Sequence, residues 1–330
     1  MRRKSSAAAQ HFWDHHHHIS EDPFFWMALP LCRFAINRRI SGDPNRWPLE
    51  EFARVVGHRR FQNALSLGSG TGNLERAVRR MDLCERVTGI DFSPESVDVA
   101  RNRAREEGFT GIEYEIGDLN NLSLPRRTYD VVFIHQALHH VASIEKLLGR
   151  VTRALTRDGY LFLEEWTGPS NNEWTPDELA HAAELYEQAP REWRQYDFLK
   201  APIVIGDPSE AVRSSEILPA VRLFFDLVER PYGGHLVSIL LCQMHRTAEK
   251  DPRFERFLAH WLSLEDRDLA KPVPRSYHTA AAGHPYRGLR GLWAQMRGIA
   301  RRPRSFFNSG WRAVSQWMLT RGVHRPPHSG

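Results

Sequence analysis

An apolar run, Ala64-Leu65-Ser66-Leu67, enters a turn with glycine at every second position, Gly68-Ser69-Gly70-Thr71-Gly72, and a helix-forming segment follows from Asn73. Few folds put a strand, a glycine loop and a helix together in that order. Glycine lacks the Cβ that would hold a ligand away from the backbone. The helix start beyond the loop presents free N–H groups. The segment therefore predicts the first strand of an α/β domain and its nucleotide-binding loop. The rhythm then repeats. Val87-Thr88-Gly89-Ile90-Asp91-Phe92 and Ile112-Glu113-Tyr114-Glu115-Ile116-Gly117-Asp118-Leu119 predict two further strands that end in acids. Tyr129 to Ile134 is the near-continuous apolar run of a buried parallel strand. Helices are expected over Asn73–Met81, Pro94–Glu107 and Ile144–Leu155, the second capped by Ser93 with Pro94 at its first position. Strands alternating with helices predict a parallel sheet.

Two cofactor classes use such a loop. The dinucleotide fingerprint G-x-G-x-x-G sets a pyrophosphate on a helix N-terminus. Here the final step is shorter, Gly68-x-Gly70-x-Gly72. S-adenosylmethionine has no phosphate, and its amino-acid end needs a tight turn instead. Asp91, about 20 residues past the loop, can accept from both ribose hydroxyls. Asp118, at the next strand tip, can accept from an adenine amine.

With these motifs in this order, the chain resembles the class I S-adenosylmethionine-dependent methyltransferases from about Phe61 to Trp166. The resemblance implies a Rossmann-like α/β fold, a seven-stranded, mostly parallel sheet with an antiparallel last pair. It implies that Gly68, Ser69, Gly70 and Gly72 belong to the methionine-binding loop. Asp91, with Phe92 beside it, would hold the ribose, and Asp118 with the Leu119 backbone would hold adenine. His135 and Gln136 would line the cofactor. Many members carry an acid two residues before the first glycine, where it helps to position the methionine amino group. This chain has Ser66 there, which leaves room for a water.

The chain has 330 residues, enough for one large domain or two small ones. It is 41% hydrophobic and 26% charged, ordinary for a globular protein. No apolar run reaches the roughly 18 residues of a membrane span, and no signal-peptide pattern opens the chain. Cys32, Cys84 and Cys242 are odd in number and widely spaced, which suits free thiols in a reducing compartment better than a disulfide frame or a zinc site. The expectation is a cytoplasmic protein with no metal. The net charge of +5 is uneven: the residues after Asp268 carry +11 and no acid, which leaves the rest at −6.

Three regions are expected: an N-terminal helical cap over residues 1–60, a cofactor-binding domain over 61–245, and a basic, aromatic extension over 246–330. Four adjacent histidines, His15 to His18, cannot all face one ion and read as solvated or packed. An aromatic-rich helical insertion at about 170–215 stands where relatives place substrate-binding elements. Val221–Val228 and Leu236–Cys242 are predicted to be the last two strands, joined through Pro231-Tyr232-Gly233-Gly234. In the extension, Leu289, Trp293, Phe306, Trp311 and Trp317 interleave with arginines. That pattern fits a helix lying on an anionic membrane at the inner face, and equally a tail that is disordered or packed on the protein. A nucleic-acid partner is not expected, although the charge would suit one.

Methyl transfer is an in-line displacement that needs alignment and, at a hydroxyl, removal of a proton. Strand four ends in His135-Gln136-Ala137-Leu138-His139-His140, where His139 or His140 is the candidate base because imidazole titrates near neutrality. Packing would explain the same histidines. Strand five ends in Glu164-Glu165-Trp166, with Glu165 the candidate to orient a substrate hydroxyl. Asp207 to Ile217 reads as a capped helix from which Arg213 or a serine would touch substrate. No Asn-Pro-Pro-Tyr-like motif follows strand four, so the expected acceptor is a hydroxyl of a glycan, a lipid-linked sugar or a natural product. Two alternatives stand beside this reading: an NAD-dependent oxidoreductase, and a non-catalytic adaptor that keeps the fold at a membrane surface.

Overall fold

The structure, a computed structural model, describes residues 2–16, 25–171, 173–204 and 206–288. Three helices, α1 (Arg2–His16), α2 (Pro30–Ser41) and α3 (Pro48–Val55), precede a seven-stranded sheet. Its strands are β1 (Phe61–Leu67), β2 (Cys84–Asp91), β3 (Ile112–Ile116), β4 (Tyr129–His135), β5 (Leu155–Trp166), β6 (Phe225–Gly233) and β7 (His278–Pro285). The spatial order is β3-β2-β1-β4-β5-β7-β6. β1 to β5 run parallel, and β7 is antiparallel to both of its neighbours. β1 pairs β2 on one side and β4 on the other, so the strand order reverses at β1. Open α/β sheets bind ligands at such a switch point, outside the carboxyl ends of the strands.

The crossovers form where the sequence supplies caps and one apolar face. α4 (Asn73–Arg80) leaves the glycine loop, α5 (Pro94–Glu106) follows β2, and α6 (Ile144–Ala154) follows β4. Ser93 caps α5 by accepting from Ser96 N at 3.1 Å, with Pro94 at the first helical position. One face of the sheet packs on Leu147, Leu148 and Val151 of α6 and on Phe224. The other packs around Phe52, Val78, Phe133 and Phe162.

The helical cap comes from three stretches of chain. α2 is the first. The second holds α7 (Pro176–Gln188), whose N-cap Thr175 accepts from Glu178 N. After α8 (Ile217–Phe224), which packs on the sheet, the third stretch runs between β6 and β7 and holds α9 (Val237–Leu241) and α10 (Phe254–Leu269). Ile36, Trp174, Tyr186, Trp193, Leu240 and Trp261 share one buried cluster. Arg39 fixes the first stretch to the third. It is buried, ion-pairs with Glu265 at 2.9 Å and Asp266 at 2.8 Å, and donates to the carbonyls of Tyr232 and Leu262.

The last two strands differ from the expectation. Leu236–Cys242 is helical, and Val221–Phe224 belongs to α8, so only Phe225 onward is strand. Leu236, Val237, Ile239, Leu240 and Leu241 are all buried, and a short run that is apolar on every side does not distinguish helix from strand. The true final strand, β7, is Ala280-Ala281-Ala282-Gly283 at its centre, residues of weak strand propensity. The sheet therefore closes at Pro285, well past residue 245. Residues 207–212 are turns rather than a helix; Asp207 Oδ1 holds the turn by accepting from Ser209 N at 2.7 Å. No helix among the described residues is long and apolar enough to cross a membrane. His17, His18 and the arginine–tryptophan tail from Leu289 onward lie outside the described residues.

Candidate active site

A single cleft of about 1900 Å³ runs along the carboxyl ends of the parallel strands. Gly68, Ser69, Gly70, Asp91, Phe92, Asp118, Leu119, His135 and Gln136 all line it. The sheet order explains the gathering: β3, β2, β1 and β4 are neighbours in that order, and each of these residues lies at a strand end or in the loop that follows.

The glycine loop is tied to β2. Gly70 N donates to Asp91 Oδ2 at 2.7 Å, and Ser93 N donates to Asp91 Oδ1 at 2.9 Å. A carboxylate offers about four acceptor sites, so capacity remains for a ribose hydroxyl. Burial raises the Asp91 pKa, against the pull of the Ser93, Gly70 and Phe92 N–H groups. The glycines divide into two kinds. Gly70 has φ +51°, and nothing lies within 4 Å of where its Cβ would stand, so the backbone there is open to a ligand. A Cβ on Gly68 would collide with Ala137, and one on Gly72 with the Tyr114 hydroxyl and Ala100. Gly72 is buried and does not line the cleft, so its part is packing rather than the expected cofactor contact. Ser69 Oγ is buried without a partner in a residue that does line the cleft. Open backbone at Gly70, an unpaired hydroxyl at Ser69 and a carboxylate with acceptor capacity at Asp91 fit S-adenosylmethionine.

Beneath the loop lies a carboxylate that the sequence reading missed. Glu75, in the first turn of α4, is fully buried, and neither oxygen has a hydrogen-bond partner of good geometry. Burial pushes its pKa up to about 7, with the Ser66 hydroxyl beside it pulling the other way. Glu75 thus brings a carboxyl from the helix to Ser66, the position where the resemblance implies an acid. The sequence signal was available: Glu75 stands three residues before the buried Val78, on the inward face of α4.

The strand-end acids divide opposite to the expectation. Glu164 lines the cleft, with its Oε2 3.7 Å from His135 Nε2. Glu165 is fully buried and accepts from Ala137 N at 2.9 Å, Leu138 N at 2.6 Å, Trp166 N at 2.8 Å and His139 Nδ1. It positions the β4 loop and is closed to substrate. Arg213 is also no substrate contact. It is buried and bidentate to Glu145, with further bonds to Glu216 and the Ala142 carbonyl. Its hydrogen-bonding capacity is taken up in joining the 207–216 segment to α6.

His139 and His140 line the cleft just past Ala137, the residue that packs on Gly68. Burial lowers the His139 pKa, but the carboxylates of Glu165, Glu210 and Asp207 prevail and raise it to about 9. Burial and the charge of His139 hold the His140 pKa well below its ordinary value. Of the two candidate bases, His140 is therefore the one without a proton to lose at neutral pH. The structure brings to this pair Asp207, Ser209 and Glu210, which the sequence reading put in a capped helix near substrate without linking them to the histidines, and Trp13, which it left in the N-terminal segment. Trp13 donates to Asp207 Oδ2 at 2.9 Å, and its ring lies edge-on to His140, 5.2 Å between centroids. Asp14, next to it on α1, accepts from Ser93 Oγ at 2.6 Å.

The far end of the cleft is aromatic. Phe25, Trp26, Phe34 and Trp47 come from the N-terminal segment, Trp166 from the end of β5 and Trp174 from the stretch after it. His278 closes this end, 5.0 Å from both Trp26 and Trp166 by ring centroids. Burial, with the charge on His139, pushes its pKa down to about 3, so the ring stays neutral.

Residues 65–163 match the family model described as a methyltransferase domain. With the strand order and the cleft above, this makes the segment a methyltransferase domain on a Rossmann-like sheet, and its loop and strand-end acids fit S-adenosylmethionine as the cofactor. The chain is similar to an uncharacterized methyltransferase, YcgJ, of Bacillus subtilis: 27% identity over 107 residues, covering 32% of this chain and 42% of that protein. It is similar also to a demethylmenaquinone methyltransferase of Leptospira interrogans, at 29% over 114 residues, covering 34% of this chain and 45% of the relative. A sterol 24-C-methyltransferase of Eremothecium gossypii shares 28% over 166 residues, 48% of this chain and 44% of that protein. The chain thus spans less than half the length of these curated relatives. Phosphoethanolamine N-methyltransferase 2 of Haemonchus contortus, solved with S-adenosyl-L-methionine, overlays at TM-score 0.48 and 16% identity, covering 79% of this chain and 58% of that one.

Proposed function

We propose that this protein transfers the methyl group of S-adenosylmethionine to a hydroxyl of a large, mostly apolar acceptor, such as a lipid-linked sugar or a hydroxylated natural product. The observation that carries the reading is one continuous cleft of about 1900 Å³, lined by the glycine loop and strand-end acids on one side and by tryptophans on the other. Small-ligand pockets run to about 300–1,000 Å³, so a bound cofactor leaves room for an acceptor of at least its own size. The names of the relatives, demethylmenaquinone and sterol methyltransferases, refer to apolar acceptors as well.

When bound, S-adenosylmethionine supplies an electrophilic methyl group on a sulfonium sulfur. The protein's part is alignment. Asp91 holds the ribose, Asp118 the adenine, and Gly70 lets the loop backbone approach. The aromatic end receives the apolar body of the acceptor and excludes water. The polar cluster of His139, His140 and Glu210 receives the acceptor oxygen, next to the loop through Ala137.

Incubation with methyl-labelled S-adenosylmethionine and a panel of acceptors tests this. Label is expected in an ether of an amphiphilic, lipid-linked or polycyclic hydroxyl compound, with little transfer to free water-soluble sugars. Label recovered on carbon or nitrogen, or on water-soluble sugars alone, would overturn the choice of acceptor.

A further inference from the structure

We propose that His139, His140 and Glu210 form a binding site for one divalent metal ion of the zinc class in the wall of the cleft. The ion's role toward the acceptor rests on the methyltransferase reading above; the site itself does not. His139 Nε2 lies 3.9 Å from Glu210 Oε1, and His140 Nε2 lies 3.9 Å from Glu210 Oε2. One ligand atom from each of the three residues falls within 4.8 Å of the others. Bonds of about 2.0–2.2 Å in a tetrahedral site put neighbouring ligand atoms roughly 3.3–3.6 Å apart. The two histidine–glutamate pairs need to close by only a few tenths of an ångström, and the widest separation in the set by no more than about 1.5 Å.

The outer contacts strengthen the case. Metal-bound histidines characteristically hold a carboxylate or similar acceptor with their other ring nitrogen, which fixes the ring and its tautomer. Both histidines have that arrangement. His139 Nδ1 is bonded to the fully buried Glu165, which three backbone N–H groups hold in place. His140 Nδ1 lies 3.2 Å from Ser209 Oγ and 3.4 Å from Asp207 Oδ2. Trp13 Nε1 and Ser209 hold Asp207 in turn. Each Nε2 is thereby directed to Glu210.

Charge points the same way. Glu165, Asp207 and Glu210 converge on the two rings, and among the described residues no lysine or arginine ion-pairs with any of the three. A dication offsets the three carboxylates and takes the place of a proton on the imidazole. Three protein ligands leave a fourth position open, as in catalytic zinc sites. All three residues line the cleft, so that position is available to the oxygen of an acceptor. An oxygen bound there would be oriented and more acidic.

The test uses the full chain, stripped with a chelator and titrated with Co²⁺, read by d–d absorption and by competition with Zn²⁺. Saturation at one equivalent is expected. The same is expected of a variant with His15, His16, His17 and His18 all replaced by alanine, which removes the other dense histidine cluster. Glu210→Gln and His140→Ala should each weaken binding at least about tenfold, since even outer-contact changes cost 10–100-fold. Glu210→Gln keeps the side-chain shape and guards against misfolding in His140→Ala. No absorption band, a band lost only in the N-terminal variant, or unchanged affinity in Glu210→Gln and His140→Ala would overturn the site. Titration of the same samples with S-adenosylhomocysteine reads the cofactor site separately, so that failure of one is not failure of the other.

Discussion

Glu165→Ala is expected to cost the domain about 3–5 kcal/mol of stability, the range for breaking a buried ionic contact. Three backbone N–H groups and His139 Nδ1 converge on this one carboxylate. Removing it leaves those donors buried and unpaired, at roughly 1–3 kcal/mol each before relaxation. Native domains have only about 5–15 kcal/mol in all, so most molecules should unfold at mild denaturant. Glu165→Gln should fall between the two, because its amide keeps one acceptor and turns a donor toward an N–H group. Urea denaturation reads the difference. If Glu165→Ala kept the wild-type midpoint and only raised KM for the acceptor, Glu165 would be the substrate contact that its place in the sequence suggests.

Glu75→Gln is expected to have the opposite effect on the free protein. The folded carboxyl has a pKa of about 7 against 4.5 when solvated, so between those values the folded state holds the proton more tightly than the unfolded chain. Wild-type stability should fall as pH rises through that window and stay lower above it. At about 1.4 kcal/mol per pKa unit, the loss above pH 7 is a little over 3 kcal/mol. Glu75→Gln removes this dependence. It should match wild type near pH 4 and exceed it by up to about 3 kcal/mol at pH 8. The same substitution should weaken cofactor binding at pH 8, because it removes a negative charge beside Ser66, under the loop that would meet the cofactor's cationic methionine end. Thermal unfolding at the two pH values, with and without S-adenosylhomocysteine, measures both effects. A variant no more stable than wild type at pH 8 would mean that Glu75 is already compensated in the free protein.

The cofactor half of the site was legible because each of its residues stands at a strand end, and strand ends can be located from hydrophobic runs and glycines. Asp91, Asp118, His135 and Gln136 all line the cleft for that reason. The acceptor half was not legible, since its parts come from far apart in the chain. Glu210 meets His139 across some 70 residues, and Trp13 meets Asp207 across 194. Local pattern carries no record of such meetings. Arg213 was misread for a related reason: its partner Glu145 lies 68 residues away, so a buried ion pair looked like a free cation. Glu164 and Glu165 show a finer limit. Alternation requires them to point to opposite faces, but only the fold decides which face is the cleft. The end of the sheet was lost because alanines form β7 while a leucine-rich stretch forms α9.

Calorimetric titration with S-adenosylhomocysteine, of wild type and of Asp91→Ala, bears most directly on the cofactor assignment from which the rest follows. Wild type should bind one equivalent and should not bind NAD. Asp91→Ala should bind about 5- to 150-fold more weakly, the equivalent of roughly 1–3 kcal/mol for stranding the hydrogen-bond partners of a buried acceptor. Equal affinity in the two proteins would remove Asp91 from the ribose site, and binding of NAD in place of S-adenosylhomocysteine would contradict the assignment altogether.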